Sequence, residues 1–314
     1  MSSYKVENIV KGCLLGEGPF WDHHSQCLYF PDVPGKVLHR YEPSSGTHHS
    51  AGTDTWISII IPLENDREKF LVSNGRSLSM MEWDPVADVK PKILNTLATV
   101  EDDKPDNNFN DGKVDDYGRI WAGTMGPILS DGIPPGRASV YSFGGKYEQS
   151  LRCHVSGVSV SNGIAWSSDN KLMYYIDSPT RSVDVFDFDI EKGEISNRRS
   201  IYSLNKDNLK GVPDGMTIDT SGNLWVATYG GGKVLRIDPS SPGGGTLLST
   251  VDIPSSQVTS VAFGGPEFTD LYVTSSSKDL SPVEMTALPE SGSAFCVKGL
   301  GVKGFAGNMF DWSS

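Results

Sequence analysis

Short runs of aliphatic and aromatic residues alternate with clusters of glycine, proline and aspartate along the whole chain. None of these runs shows the sustained 3.6-residue apolar period of an amphipathic helix. They are instead rich in Val, Ile, Tyr and Trp and are bounded by turn residues, as β-strands are. The pattern therefore predicts an all-β protein built from many short strands.

One type of apolar strand, represented by Leu28-Tyr29-Phe30, recurs six times. Its central residues lie 42, 50, 53, 51 and 47 residues apart, at Tyr29, Leu71, Trp121, Tyr174, Trp225 and Tyr272. Another strand precedes each copy and a further one follows it. Six units of three or four strands predict a six-bladed β-propeller, which we expect to form a single domain over residues 1–314. Ring closure would pair residues 4–10 with residues 294–297, so that no sheet edge stays open.

The strand before each copy begins with a small or polar residue, eleven to thirteen positions before the central residue. These six residues are Glu17, Ser58, Asn110, Asn162, Asp214 and Ser260. In a propeller this strand is the innermost one, so the six side chains would converge on the rim of the central channel. Two carboxylates and two carboxamides would then offer only oxygen atoms, which favours Ca²⁺, Mg²⁺ or Mn²⁺ over structural zinc.

Charge and cysteine content narrow the class of protein. The 39 acidic residues exceed the 27 basic ones by twelve, and such a surface repels phosphate backbones and anionic lipids. We therefore expect no nucleic-acid or membrane partner, and a protein that is a monomer or weak homodimer acting on a small molecule. Four cysteines without a C-x-x-C pair, and the lack of an apolar leader, favour reduced thiols and a cytoplasmic location. Six histidines without a metal-binding spacing do not predict a histidine zinc site.

Several strings of the sequence resemble the regucalcin (senescence marker protein), gluconolactonase and luciferin-regenerating enzyme family. They are Asn110-Asp111-Gly112-Lys113-Val114-Asp115, Ala122-Gly123-Thr124-Met125, Tyr174-Tyr175-Ile176-Asp177-Ser178, Ile195-Ser196-Asn197-Arg198-Arg199-Ser200, Pro213-Asp214-Gly215-Met216 and Gly299-Leu300-Gly301-Val302-Lys303-Gly304. The resemblance covers nearly the whole chain and is weakest between about residues 44 and 100. It also implies a six-bladed propeller with one divalent metal near the top of the channel.

The resemblance further implies a set of functional residues. Glu17, Asn162 and Asp214 match the metal ligands of the family, with Ca²⁺ as the first expectation and Mg²⁺, Mn²⁺ or Zn²⁺ as alternatives. Asp214 also matches the residue proposed there as general base in the hydrolysis of sugar lactones. Asn110 and Asp111 match residues beside the metal and the substrate.

This sequence departs from the family pattern at two places. Asn108 stands where animal members typically carry an arginine, and no acidic residue follows Met125 closely. Both missing groups are implied in binding sugar hydroxyls, so we expect a less hydroxylated substrate. The Gly- and Pro-rich segment 128–137 is expected to form a lid over the channel, whose Arg137 partly replaces the missing arginine.

These patterns predict a metal-dependent hydrolase of a lactone or related ester. Three alternatives stay open at this level: a calcium-binding regulatory protein without turnover, a structural protein of the crystallin kind that has kept only the fold, and an enzyme with phosphotriesterase-like activity.

Overall fold

The computed structural model describes residues 4–87, 89–145, 149–241 and 243–312. In these residues helical structure is confined to the short helix α1 (Pro282–Ala287) and two 3-10 turns, and all other regular structure is β-strand. No helix in the described part of the chain is long and apolar enough to cross a membrane. The predicted all-β class is confirmed. The end points of the predicted domain, residues 1 and 314, lie outside the described residues.

Four sheets each contain four consecutive antiparallel strands. With β1 at Lys5–Val10, the first sheet comprises β2 (Phe20–Asp22), β3 (Cys27–Asp32), β4 (Val37–Glu42) and β5 (Thr47–Gly52). The second comprises β6 (Ile60–Pro62), β7 (Lys69–Asn74), β8 (Ser77–Glu82) and β9 (Lys92–Thr99). The third comprises β10 (Asn108–Val114), β11 (Arg119–Met125), β12 (Ala138–Gly144) and β13 (Leu151–Val158). The fourth comprises β14 (Ser161–Trp166), β15 (Leu172–Asp177), β16 (Ser182–Asp189) and β17 (Glu194–Ser203).

The remaining strands form one eight-stranded sheet made of two four-stranded units. One unit comprises β18 (Val212–Ile218), β19 (Leu224–Tyr229), β20 (Lys233–Asp238) and β21 (Thr246–Asp252). The other comprises β22 (Gln257–Gly264), β23 (Asp270–Ser276), β24 (Ala294–Lys298) and β1. The two units are joined by the pairing of Tyr229 with Gln257. The predicted pairing of the N-terminal strand is confirmed, because β1 lies antiparallel to β24 with Val6 opposite Val297.

The six apolar strands recognised in the sequence are the second strands of these units, β3, β7, β11, β15, β19 and β23. The same turn precedes two of them. Asp115 accepts hydrogen bonds from the backbone N–H groups of Tyr117 and Arg119, and its second oxygen accepts one from the indole of Trp121 at 2.9 Å. Asp219 repeats this arrangement with Ser221, Asn223 and Trp225. A short-range aspartate turn thus sets the start of β11 and of β19.

The apolar core lies between neighbouring units. The buried residues group into clusters, each containing side chains from two adjacent units, for example Ile59 of the second with Phe109 of the third, and Phe30 of the first with Tyr272 of the last. Most of the first strands also contact one another: β2 contacts β6, β10 contacts β14, β14 contacts β18, β18 contacts β22, and β22 contacts β2, while β10 contacts the second unit through β7. The inner strands therefore surround a common axis on which polar side chains can converge.

Candidate metal and substrate site

Irregular pairing occurs at the same place in three of the inner strands. The register shifts between Phe109 and Gly112 in β10, between Ser161 and Ile164 in β14, and between Pro213 and Met216 in β18. The residues inside these shifts are Asn110-Asp111, Asn162-Gly163 and Asp214-Gly215. A bulge of this kind re-aims the side chains of the bulged residues. The sequence pattern predicted that these polar residues begin their strands. In the structure Asn110, Asn162 and Asp214 lie in bulges inside β10, β14 and β18, and Glu17 precedes β2.

Glycine next to two of these residues lets the inner strands approach closely. A Cβ atom on Gly163 would lie 2.7 Å from the carbonyl oxygen of Asp214, and one on Gly215 would lie 2.7 Å from the Cα of Ser260. Both distances are too short for a real side chain, so only glycine fits there. The close approach brings Asn162, Asp214 and Ser260 to neighbouring positions around the axis.

Hydrogen bonds link other members of the predicted rim to the next unit. The hydroxyl of Ser58 donates to the carbonyl of Phe109 at 2.9 Å, and the amide Nδ2 of Asn110 donates to the carbonyl of Ser161 at 2.8 Å. The hydroxyl of Thr259, beside Ser260, donates to the carbonyl of Gly16, beside Glu17, at 2.6 Å. The structure thus brings the six predicted rim positions together around the axis.

Three carboxyl groups, those of Glu17, Asp111 and Asp214, lie close enough to influence one another's charge. Burial raises the pKa of Glu17 well above its ordinary value, and the charges of Asp214 and Asp111 raise it further. Burial and the charge of Asp111 likewise raise the pKa of Asp214, which the neighbouring Asn162 amide and the backbone N–H of Gly215 partly oppose. Glu17 retains 9% and Asp214 6% of its exposure. Negative charge is therefore concentrated where solvent cannot dissipate it.

The oxygens of this cluster fit a hard cation. Asn162 Oδ1 and Asp214 Oδ1 are buried and have no hydrogen-bond partner within the described residues. The amide of Asn162 is fixed in orientation, because its Nδ2 donates to Ser178 Oγ at 2.9 Å. Glu17 accepts one long hydrogen bond, from the N–H of Gly18 at 3.3 Å. Buried acceptors without partners are costly, and an oxygen-rich, negatively charged set of this kind is what Ca²⁺ and Mg²⁺ require.

The residues predicted to touch substrate occupy two different places. Asp111 belongs to the carboxylate cluster, and one of its oxygens accepts from the N–H of Gly112 at 2.7 Å. Asn108 is only partly buried and donates to the carbonyl of Asp106 at 3.2 Å. Arg137 donates from Nε to Asn107 Oδ1 at 2.9 Å, and its Nη2 lies 3.9 Å from Asp106 Oδ2. Arg137 thus contacts the short segment of chain, 106–108, that contains Asn108.

Lys113 is a residue of this site that sequence reasoning passed over. Its ammonium donates to the carbonyl of Met216 at 2.7 Å. Burial lowers the pKa of Lys113 to about 8, and the charge of Asp111 opposes this shift. Burial raises the pKa of Asp111, and the charge of Lys113 opposes that shift in turn. The signal was present in the sequence, because residues i and i+2 of a strand share a face and Lys113 is two positions from Asp111.

Below the cluster, the inner strands enclose a cavity of about 380 Å³. Ser58, Asp111, Lys113 and Ser260 line one part of it, and residues 305–308 of the C-terminal segment line another. That segment is held in place by Phe310, whose N–H donates to the carbonyl of Pro62 at 3.1 Å. The carboxylate cluster therefore borders an internal cavity large enough for a small molecule or ordered water.

Fold and site together define a class of protein. The sequence profile of the SMP-30/Gluconolactonase/LRE-like region matches residues 15–277, and the chain belongs to this family. Among its relatives, the regucalcin of Homo sapiens is 38% identical over 308 residues, which are 98% of each chain. A structure of a luciferin-regenerating enzyme is 40% identical, with a TM-score of 0.92 over 99% of this chain and 100% of that one. The regucalcin of Agrobacterium tumefaciens, described as a calcium-binding protein, is 25% identical, with a TM-score of 0.85 over 99% and 98%. The family resemblance read from the sequence motifs is confirmed.

Proposed function

We propose that the chain is a six-bladed propeller forming one domain over residues 1–314, and that it is a divalent-metal-dependent hydrolase of a lactone or related ester. The cyclic contacts of the inner strands and the apolar clusters between neighbouring units support the propeller. Membership of a family that includes gluconolactonases supports the hydrolase. The observation that carries the site is a pair of buried oxygens, on Asn162 and Asp214, that find no hydrogen-bond partner among the described residues, together with the nearby carboxylate of Glu17.

Glu17, Asn162 and Asp214 are the proposed metal ligands. Two carboxylates and one amide oxygen carry a formal charge of minus two, which balances one divalent ion. The description of one relative as a calcium-binding protein favours Ca²⁺, and the all-oxygen donor set is equally suited to Mg²⁺ or Mn²⁺, with Zn²⁺ as a further alternative. When bound, the ion supplies Lewis-acid polarisation of a carbonyl group and neutralises the negative charge that develops on it.

Asp214 is the proposed general base. Burial and the charge of Asp111 raise its pKa in the metal-free protein. Because a carboxylate has two oxygens, one can bind the ion while the other accepts a proton from water. Asn110 holds the neighbouring strand through its Nδ2, which leaves its Oδ1 to orient a ligand. Asp111 lies close enough to Asp214 to influence its charge, and Lys113 compensates the charge of Asp111 in turn.

Substrate recognition is proposed for Asn108, Asn110, Asp111 and Arg137. The segment around residue 129 is fastened by two hydrogen bonds between Leu129 and Gly132, each 3.1 Å long, and it leaves Ile128 and Leu129 about half exposed. Apolar side chains on the proposed lid, together with an uncharged Asn108, favour a substrate with fewer hydroxyl groups than an aldonolactone.

Charge and cysteine content bear on the partners and the location of the protein. A net charge of −12 supports a small-molecule substrate and argues against nucleic acid or a membrane surface as partner. We propose a cytoplasmic protein that acts as a monomer or weak homodimer. The free cysteines of the described residues, of which Cys13, Cys27 and Cys296 are buried and Cys153 exposed, agree with a reducing compartment.

Hydrolysis assays with defined metals test this function. The purified protein is screened against gluconolactone, simple γ- and δ-lactones and a phosphotriester, each with Ca²⁺, Mg²⁺, Mn²⁺ or Zn²⁺. We expect metal-dependent turnover of a lactone or ester that Asp214→Ala abolishes and Asp252→Asn, on the outer strand β21, leaves unchanged. Metal binding with no turnover on any substrate would instead identify a calcium-binding regulatory protein. Absence of both would leave a structural protein that has kept the fold.

A further inference from the structure

A second group of metal-binding side chains lies outside the channel. Cys13, Asp32 and His39 bring a thiol, a carboxylate and an imidazole together, with one ligand atom of each within 4.8 Å of the others. All three side chains are buried, with 1%, 5% and 7% of their exposure remaining. Cys13 follows β1, Asp32 ends β3 and His39 lies in β4, so the group forms only where the last unit meets the first.

The separation of the sulfur and nitrogen donors is close to that in a tetrahedral transition-metal site. Cys13 Sγ lies 3.8 Å from His39 Nε2. Metal–ligand lengths of about 2.3 Å for sulfur and about 2.0 Å for nitrogen at a tetrahedral angle give about 3.5 Å between the two donor atoms. The atoms are thus placed so that one ion can bond to both without a large movement of the chain.

The second nitrogen of His39 is held by another histidine. His39 Nδ1 lies 2.9 Å from His48 Nε2, in β5, and the two rings meet edge to edge, with centroids 5.1 Å apart and planes only 17° apart. When His39 Nδ1 donates this hydrogen bond to His48, His39 Nε2 presents a lone pair toward Cys13. A partner on the far nitrogen is the usual arrangement around a histidine that ligates a metal.

Asp32 has one acceptor position left for an ion. Its Oδ2 accepts from the N–H of Leu14 at 2.9 Å, and its Oδ1 accepts from the N–H groups of Leu15 at 2.9 Å and Gly35 at 3.4 Å. A carboxylate has about four lone-pair directions, so three bonds leave one free on Oδ2. Leu14 is about half exposed, so the group lies close to the surface and an ion can reach it.

We propose that Cys13, His39 and Asp32 form a binding site for a thiophilic divalent ion, with Zn²⁺ as the natural occupant and His48 as a positioning residue. A thiolate and an imidazole select borderline or soft metals, whereas the oxygen cluster at Glu17 selects hard ones. The two sites therefore differ in the metal they take. The competing explanation is a purely structural hydrogen bond from a neutral Cys13 thiol to His39, since burial raises the pKa of Cys13 to about 12.

Optical titration with Co²⁺ separates these two explanations. Co²⁺ occupies zinc sites, and a thiolate bonded to it produces an intense near-ultraviolet charge-transfer band that oxygen ligands do not give. The experiment uses the full chain carrying Cys153→Ser, so that the exposed thiol cannot contribute. We expect the band to saturate at about one equivalent, to vanish in Cys13→Ser and to persist in Cys296→Ser, which alters another buried thiol of the same apolar cluster.

Two further variants keep the test decisive. His48→Gln should retain the band but weaken affinity about 10- to 100-fold, as loss of an outer partner does. Asp214→Asn should leave the titration unchanged, which makes the outcome independent of the proposed hydrolase site. The proposal is overturned if the parent protein shows no band, or if Cys13→Ser shows the same band as the parent. Circular dichroism of Cys13→Ser and His39→Gln distinguishes loss of binding from loss of fold.

Discussion

Asp214→Asn is the substitution that examines the channel site most directly. It removes one charge from the cluster of Glu17, Asp111 and Asp214 while keeping the shape of the side chain and one acceptor oxygen. If Asp214 is a metal ligand, the wild-type protein gains stability from the ion, and the variant does not. At an ion concentration of a hundred times Kd this gain is about 2.7 kcal/mol.

The expected shift in melting temperature follows from chain length. An unfolding entropy of about 2.1 cal/mol/K per residue over 314 residues is about 0.66 kcal/mol/K, so the ion should raise Tm by about 4 °C. Differential scanning calorimetry with saturating Ca²⁺ and with chelator measures this shift. The variant should show almost none, while Asp252→Asn, a surface carboxylate on β21, should behave as wild type.

In the presence of chelator, the stability of the protein should depend on pH through the same carboxylates. The pKa values of Glu17 and Asp214 are raised in the folded protein, so their favourable contribution is complete below their ordinary pKa values and is lost as pH rises through the folded ones. Wild-type stability should therefore fall as pH rises above about 4, and more steeply than that of Asp214→Asn. An equal Ca²⁺ shift in both proteins, or an equal pH slope, would refute the assignment of Asp214 as a ligand in a carboxylate cluster.

Three further substitutions probe the surroundings of the site. Gly215→Ala places a Cβ 2.7 Å from the Cα of Ser260 and should lower the free energy of unfolding by about 1–3 kcal/mol, measured by calorimetry. Gly52→Ala, whose Cβ would have no atom within 4 Å, is the control and should not destabilise the protein. Equal Tm values for the two variants would contradict the close approach of the inner strands. Lys113 has a pKa of about 8, so kcat/KM of the wild type should fall as pH rises above 8 and the ammonium loses its charge. Lys113→Gln removes the ammonium, so this fall should disappear. An unchanged fall in the variant would exclude a role for the charge of Lys113. Asn108→Arg supplies donors for sugar hydroxyls and should raise kcat/KM for gluconolactone about tenfold relative to an unsubstituted δ-lactone, and unchanged selectivity would show that residue 108 does not contact substrate.

Local sequence signals determined much of the architecture. The six apolar strands, the strand that precedes each of them and the pairing of residues 4–10 with the last unit were all predicted, and the structure has them as β3, β7, β11, β15, β19, β23, their preceding strands and the β1–β24 pair. Such features depend on short, continuous runs of buried residues, as in β3 and β11, and on turns that bond only a few residues away, as Asp115 and Asp219 do. The sequence records both kinds of information locally.

The exact placement of the polar residues required the tertiary structure. Asn110, Asn162 and Asp214 lie in bulges whose positions depend on pairing with the next strand, and a pattern of residue types does not reveal a register shift. The pairing of Arg137 with Asn107 depends on how the loop 126–137 folds back on the chain. Lys113 was visible as a residue two positions from Asp111, but its desolvation became evident only once β18, two units along the chain, supplied the carbonyl of Met216.

By itself, the sequence determined the strand repeat, the family and the set of oxygen-bearing residues on or just before the inner strands, because these follow from residue types at regular intervals. Only the tertiary structure decided which side chains touch. Cys13, Asp32 and His39 have no metal-binding spacing, and the histidine pattern predicted no zinc site. They meet because the first and last units pack together, and ligand geometry is set by distances in space between segments that the chain keeps apart.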